Sequence, residues 1–284
     1  MQYYQLLDLQ RDPFANSPDP RLLYLSAQHH DCLQQLELAV RLRRGLSVVI
    51  GEVGTGKTTI CRRLIRNLGG ERDRRILTRL FLDPNFKSGR EFLAAIVQAF
   101  GLGGEEPAEF NERELRELFN NFLLQESLER DRTVLLIIDE GQKLPDFCLE
   151  VLRELLNYET NDRKLVQVLI FAQEEFKEQI RRHNYFRDRI AYFFHLRPLG
   201  FRETRELINF RLRQSHRRPA TADDLFTLPA LWLIYRHTGG YPRRIVMLCS
   251  QVLLACIARG GLDAAGPRRV RASLVRACAR RVFS

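Results

Sequence analysis

The run Leu46-Ser47-Val48-Val49-Ile50 leads straight into Gly51-Glu52-Val53-Gly54-Thr55-Gly56-Lys57-Thr58, and a helical pattern follows. A strand, then G-x-x-x-x-G-K-[ST], then a helix is the context that a phosphate-binding loop requires; chance supplies the pattern in about one chain per thousand of this composition. The glycines let the backbone curl until successive N–H groups face phosphate oxygens, and the start of the helix adds its partial positive charge. Lys57 is then placed to reach β- and γ-phosphates, and the Thr58 hydroxyl to ligate Mg2+. The competing reading is a glycine turn that holds no ligand.

A second element must hold the metal. Leu135-Leu136-Ile137-Ile138-Asp139-Glu140 is a buried-strand pattern that ends in two carboxylates, and ligands of open α/β sheets sit at that end of the strands. Asp139 is the candidate Mg2+ ligand, direct or through water. Glu140 is the candidate base that orients and deprotonates water, which favours hydrolysis over transfer to another acceptor. A solvated helix cap is the alternative for this pair.

Further strand candidates cover 76–82, 166–172 and 191–196 beside 46–50 and 133–138. Helix-length segments lie between them at about 57–68, 89–100, 111–130, 146–158 and 174–183. A helix over 27–44 precedes the first strand, ended by Gly45. This alternation predicts an α/β fold, a parallel sheet with helices on both faces. After Pro198 the strands stop, and helices are expected over 201–216, 222–237, 241–259 and 267–282. The expected division is therefore 1–198, including an irregular lead-in over 1–26, and a small helical domain over 199–284.

Composition excludes several classes. The first residues lack the basic start and apolar stretch of a secretory signal. The longest apolar window, residues 245–258, contains Ser250 and Gln251 and is short of the roughly 20 residues of a membrane span. Six cysteines without a CxxC pair argue against zinc and against a disulfide framework. A cytosolic protein with reduced, mostly buried thiols is expected, so the predicted location is cytoplasmic, if need be peripheral to the inner membrane through a partner. The net charge of +10 is uneven: residues 1–180 carry 24 Lys+Arg and 29 Asp+Glu, while residues 181–284 carry 21 Arg and 6 acids. The last third holds the excess. It reads either as a solvated or subunit-facing basic surface or as a nucleic-acid surface.

One strand candidate, 76–82, lies in sequence between the two motifs, as in the additional-strand class of P-loop ATPases. Several motifs occur here in one order. They are Tyr3-Tyr4-Gln5-Leu6 with Asp12-Pro13-Phe14; Pro18-Asp19-Pro20-Arg21 with Leu23-Tyr24-Leu25-Ser26; Gly51 to Thr59; Leu136 to Gln142; Leu196-Arg197-Pro198-Leu199; and Gly240-Tyr241-Pro242-Arg243-Arg244-Ile245. On these the chain resembles an AAA+ ATPase, and more narrowly the family of the type II secretion accessory ATPase ExeA, or general secretion pathway protein A. The match runs from the first residues to about residue 255.

The resemblance implies ATP and Mg2+ bound by Gly51, Glu52, Val53, Gly54, Thr55, Gly56, Lys57, Thr58 and Thr59, with a helical lid behind the sheet. It puts Gln173 at the sensor-1 position, against the reading of a polar cap at a strand end. It puts Arg243 at the sensor-2 position, with Arg244 competing. Arg189, in Phe186-Arg187-Asp188-Arg189-Ile190, matches an arginine finger that reaches a neighbour's ATP; Arg187 is the other choice, and a surface ion pair the plain one. The Pro18-to-Arg21 and Leu25-Ser26 region would line the adenine pocket.

ExeA proteins continue past the ATPase into a membrane span and a peptidoglycan-binding domain. These 284 residues carry neither, which leaves a stand-alone ATPase module or a piece of a longer chain. Two functions follow. One is a homo-oligomeric, ring-forming assembly ATPase that serves a partner of an envelope secretion or pilus system, slow until assembled. The other is an ATP-gated DNA-binding protein of the transposon target-selection type (TnsC/TniB-like), contacting phosphates through Arg268, Arg269, Arg271, Arg276, Arg280 and Arg281 with steep salt dependence.

Overall fold

The computed structural model describes residues 4, 9–15, 20–69, 75–104, 110–161, 163–216, 225–258, 262–263, 266–267 and 269–283. Tyr3, Gln5, Leu6, Pro18, Asp19 and Arg268 lie outside them. The chain forms two compact units, one of Gln28–Val53 and Lys57–Leu196, the other of Met1–Ala27, Gly54–Gly56 and Arg197–Ser284.

The first unit runs α1 (Ala27–Arg41), β1 (Leu46–Gly51), α2 (Lys57–Leu68), β2 (Ile76–Phe81), α3 (Gly89–Ala99), α4 (Glu112–Leu124), β3 (Thr133–Ile138), α5 (Asp146–Leu155), β4 (Val166–Ala172), α6 (Phe176–Arg182), α7 (Asn184–Arg187) and β5 (Ile190–Leu196). Its five strands are all parallel, in the order β2-β3-β4-β1-β5. β1, β3 and β4 are buried along their whole length, which is why they read as mostly apolar runs, whereas the edge strand β5 alternates half-buried and exposed positions. The one polar side chain buried in the sheet's interior strands besides Ser47 and Thr133 is Gln167. Its amide accepts from the Gly45 N–H at 2.7 Å and donates to the Lys164 carbonyl at 3.0 Å, so its burial is compensated.

Local chemistry fixes the helix ends. Ser88 accepts the Glu91 N–H at the start of α3, and Asn111 and Glu114 form a reciprocal capping box on α4. α1 stops at Arg41, short of the expected residue 44, because Arg43 and Gly45 take φ of 52° and 90°. α4 continues as a π-helical turn over Gln125–Glu129, where buried Glu126 pairs with Arg130 and Arg132. The strand order departs from sequence order. β2, which precedes β3 in the chain, lies outside it at the sheet edge, and the strand standing between the two motif strands is β4.

The second unit contains α8 (Phe201–Ser215), α9 (Leu228–Thr238), α10 (Pro242–Ala258) and α11 (Ala272–Val282), plus a two-residue antiparallel pair, β6 (Leu262–Asp263) with β7 (Gly266–Pro267). That pair corrects the expectation that no strand follows Pro198. Two helices also begin later than their patterns predict, α9 at 228 instead of 222 and α11 at 272 instead of 267. The physical reason is a short parallel contact: Val270 donates to the Leu225 carbonyl at 2.7 Å, and Thr227 donates back to Val270 at 3.1 Å. These backbones are extended where the pattern alone suggests helix. The lead-in packs here too. Leu9 and Phe14 are buried with Ile208, Phe226, Ile234 and Leu248, and the Gln10 N–H donates to Ser215 at 2.7 Å. The division at residue 198 expected from the sequence places this segment with the sheet; it packs with the helices instead.

All six cysteines are free and buried. Among the described residues no helix is long and apolar enough to cross a membrane. Burial pushes the thiols of Cys32, Cys61 and Cys148 up to about 12, so native protein at pH 8 is expected to resist iodoacetamide, with labelling appearing only on unfolding; fast alkylation of the folded chain would contradict this packing. Gly240 makes a sharper prediction. It sits at φ 79° with a Cβ position 2.0 Å from the Leu199 carbonyl oxygen. Gly240→Ala should destabilise the helical unit by about 2–4 kcal/mol, read from denaturant midpoints.

Candidate nucleotide-binding site

Because the strands are parallel, β1, β3, β4 and β5 all end at one edge of the sheet. β1 delivers Gly51, and the loop passes through Gly54 at φ 87° and Gly56 at φ 108° before α2 begins at Lys57. Only glycine takes such backbone angles without strain. Glu52 and Val53 are exposed, Thr55 and Lys57 are buried, and Thr58 and Thr59 are half-buried. The Lys57 ammonium donates to the Gly51 carbonyl at 2.7 Å and the Glu52 carbonyl at 3.1 Å. Burial pulls its pKa down, against the opposing charges of Glu140, Asp139, Glu174 and Glu175. Lys57 is thus a desolvated cation at the start of α2 whose charge the neighbouring carboxylates favour.

β3 delivers Asp139, almost fully buried. Its Oδ2 accepts from the Thr58 hydroxyl at 3.0 Å, and its Oδ1 from the Glu140 N–H at 3.0 Å. The two motifs, 81 residues apart, thus meet at one pair of oxygens. Adjacent ligands of an octahedral Mg2+ at roughly 2.1 Å stand about 3 Å apart, so the Thr58–Asp139 pair fits that ion. No group of three or more His, Cys, Asp or Glu side chains that would cage a metal occurs among the described residues. One carboxylate and one hydroxyl suit a cation that is otherwise held by phosphates and water.

Glu140 takes the left-handed conformation at φ 55°. Its Oε2 accepts from Gln142 Nε2 at 2.6 Å and from Gln173 Nε2 at 3.1 Å. Partial burial opposes ionisation there, yet those two donors and the charges of Lys57 and Lys143 hold the carboxyl below the usual glutamate range. Gln173, at the end of β4, is therefore joined to the carboxylate pair as well as capping its strand. Gly141 lets the turn lie against β4: a Cβ there would stand 2.3 Å from Ile170 Cγ2.

Three groupings carry no signal in the sequence. Gln142 stands there only as the end of the motif Leu136 to Gln142. Glu174 accepts from His195 at 2.6 Å and pairs with Lys177, at the ends of β4 and β5. Lys143 reaches Asp83 at 2.9 Å. Each joins residues far apart in the chain or of ordinary type, and no spacing announces them.

The arginines divide. Arg187 and Asp188 form an exposed pair at 3.6 Å, and Arg187 also lines a groove of about 500 Å3 with Lys177, Ile180, Arg181, Ile190 and Phe193. Arg189 is half-buried, with the charge of Glu159 in reach. In the second unit Arg243 and Arg244 are both exposed. A Cβ built on Gly54 would stand 3.2 Å from Arg243 Cβ, whereas the Arg244 guanidinium lies over the Tyr241 ring at 4.9 Å. Ser26 is buried and Leu25 half-buried.

A protein family described as an AAA domain matches residues 40–180. General secretion pathway protein A of Aeromonas hydrophila is 34% identical over 260 residues, covering 91% of this chain and 45% of that protein. An uncharacterized HTH-type transcriptional regulator of Methanocaldococcus jannaschii is 25% identical over 155 residues, 54% of this chain and 36% of its own. The chain spans less than half the length of these curated relatives. Among solved structures, the Drosophila ORC bound to DNA superposes with TM-score 0.70 at 16% identity, over 100% of this chain and 66% of that one. CDC6P of Pyrobaculum aerophilum gives 0.68 at 16% identity, over 96% and 72%. At these identities the likeness is one of fold.

Lys57→Ala should weaken binding of a fluorescent ATP analogue by about tenfold or more, since a buried charge-assisted contact is lost. Unchanged affinity would remove the loop as the phosphate site.

Proposed function

Since the chain is an AAA+ P-loop protein similar over most of its length to general secretion pathway protein A, we propose that it hydrolyses ATP to ADP and phosphate as an assembly ATPase. The observation that carries this reading is the convergence of Thr58, Asp139 and Glu140 beside Lys57. Loop N–H groups and Lys57 hold the β- and γ-phosphates, and Thr58 and Asp139 hold Mg2+, which when bound offsets phosphate charge. Glu140 accepts a proton as water oxygen bonds to the γ-phosphorus and the bond to the bridging oxygen of ADP breaks. Gln173 acts as sensor 1 beside that carboxylate.

Arg243 serves as sensor 2, supported by its place beside Gly54. Arg189, the second arginine of Phe186-Arg187-Asp188-Arg189-Ile190, is the finger of choice by its place in that motif, with Arg187 as the other candidate. A finger given to a neighbour changes rates by about 10^3 to 10^5, so a homo-oligomer, ring-like in this reading, is the working form. Its partner belongs to an envelope secretion or pilus system, and its place is the cytoplasm or the inner face of the inner membrane. The expected division of labour is an ATPase core up to about residue 198 and a lid from 199 onward.

One observation favours a second reading, an ATP-gated DNA-binding protein of the target-selection type. Along α11, Val275, Cys278 and Ala279 are buried while Arg276, Arg280 and Arg281 are exposed, as is Arg271 at its cap, and the helix contains no acid. Such a face suits phosphates.

Glu140→Gln is expected to keep ATP binding and to stop turnover; normal turnover would refute Glu140 as base. Wild-type turnover per protomer should rise with protein concentration, and Arg189→Ala should flatten that rise. Stimulation by duplex DNA that disappears with added salt would instead move the second reading ahead.

A further inference from the structure

The turn after β3 contains a strut that the proposed chemistry has not used. Gln142 engages both ends of its amide. Nε2 donates to Glu140 Oε2 at 2.6 Å, and Oε1 accepts the backbone N–H of Gln173 at 3.0 Å. A backbone N–H only donates, so this contact fixes which amide atom is oxygen and turns the NH2 toward the carboxylate. The strut thus ties the end of β4 to Glu140, Gln142 and Gln173 lying 31 residues apart in the chain.

Two features fix its geometry. Glu140 sits at φ 55°, a strained conformation that a side-chain-bearing residue keeps only where its surroundings impose it. Gly141 presses on Ile170 of β4, with no room for a Cβ. The turn is therefore held against β4 by packing on one side and by Gln142 on the other. Gln173 Nε2, at 3.1 Å from the same oxygen Oε2, completes the set. Glu140 Oε2 is occupied by two donors, and Oε1 is the oxygen they leave for water.

We infer that Gln142 is a positioning residue for Glu140: it aims the carboxylate through one amide and takes its own orientation from the Gln173 N–H. The inference rests on the reading of the chain as an ATPase with Glu140 as base. It predicts an effect on turnover and none on nucleotide affinity, because Gln142 makes no contact with the loop of Gly51 to Thr58 among its described hydrogen bonds.

Two substitutions separate aiming from structural support. Gln142→Glu keeps an acceptor for the Gln173 N–H but has no donor for Glu140; Gln142→Ala removes both. Steady-state ATP turnover, affinity for a fluorescent ATP analogue and amide exchange at Gln173 are measured for both, at a concentration where the wild type turns over. Both variants should bind nucleotide within about threefold of wild type and lose about tenfold or more in kcat with KM unchanged. Exchange at Gln173 should quicken in Gln142→Ala alone. Wild-type kcat in Gln142→Glu, or a loss carried by KM or affinity, overturns the inference while leaving the ATPase reading in place. Wild-type turnover no faster than that of Lys57→Ala overturns the reading and the inference together.

Discussion

The hydrogen bond from Thr58, at the start of the helix that follows β1, to Asp139, at the end of β3, links the ends of two strands that do not touch. β1 and β3 are separated by β4, so the contact exists only if all three strands end level and point the same way. Parallel pairing supplies both conditions, and parallel pairing in turn requires a sheet covered by helices. The buried, mostly apolar runs of β1, β3 and β4 are thus as much a part of the phosphate site as its glycines are. β4 contributes more than spacing: its last residues carry Gln173 and its Ile170 sets the height of the Glu140 turn.

Charge at this edge is balanced locally. Lys57 lies among Asp139, Glu140, Glu174 and Glu175, and its desolvation lowers its hold on a proton. Glu174 is itself answered by His195 and Lys177. A triphosphate with a divalent cation brings negative and positive charge together, and it meets both signs already in place.

Local signals in the sequence were read well because they are local. β3, β4 and α2 have the boundaries their patterns predict, and the loop from Gly51 to Thr58 announces itself through residue types that only one backbone path needs. Strand order was not legible, since nothing in the run 76–81 says that it pairs outside β3. Nor was the home of the lead-in. Leu9 and Phe14 are apolar residues in an irregular stretch, and their burial with Ile208 and Phe226 depends on partners about 200 residues away. The late starts of α9 and α11 have the same origin, a backbone pairing at Val270 that overrides helical periodicity. At the site the pattern named Asp139 and Glu140 and the family resemblance added Gln173, but Gln142 had no part, because an amide's role depends on which atoms face it.

The most direct test of the account is a double-mutant cycle on the two residues assigned to one metal. ATP affinity of wild type, Thr58→Ala, Asp139→Asn and the double variant is measured with Mg2+ and with EDTA. The account predicts that Mg2+ strengthens wild-type binding, that either single change removes most of this gain, and that the double change removes little more, a coupling of about 1–3 kcal/mol that appears only with the metal. Additive losses, or the same coupling in EDTA, would mean that Thr58 and Asp139 do not share an ion.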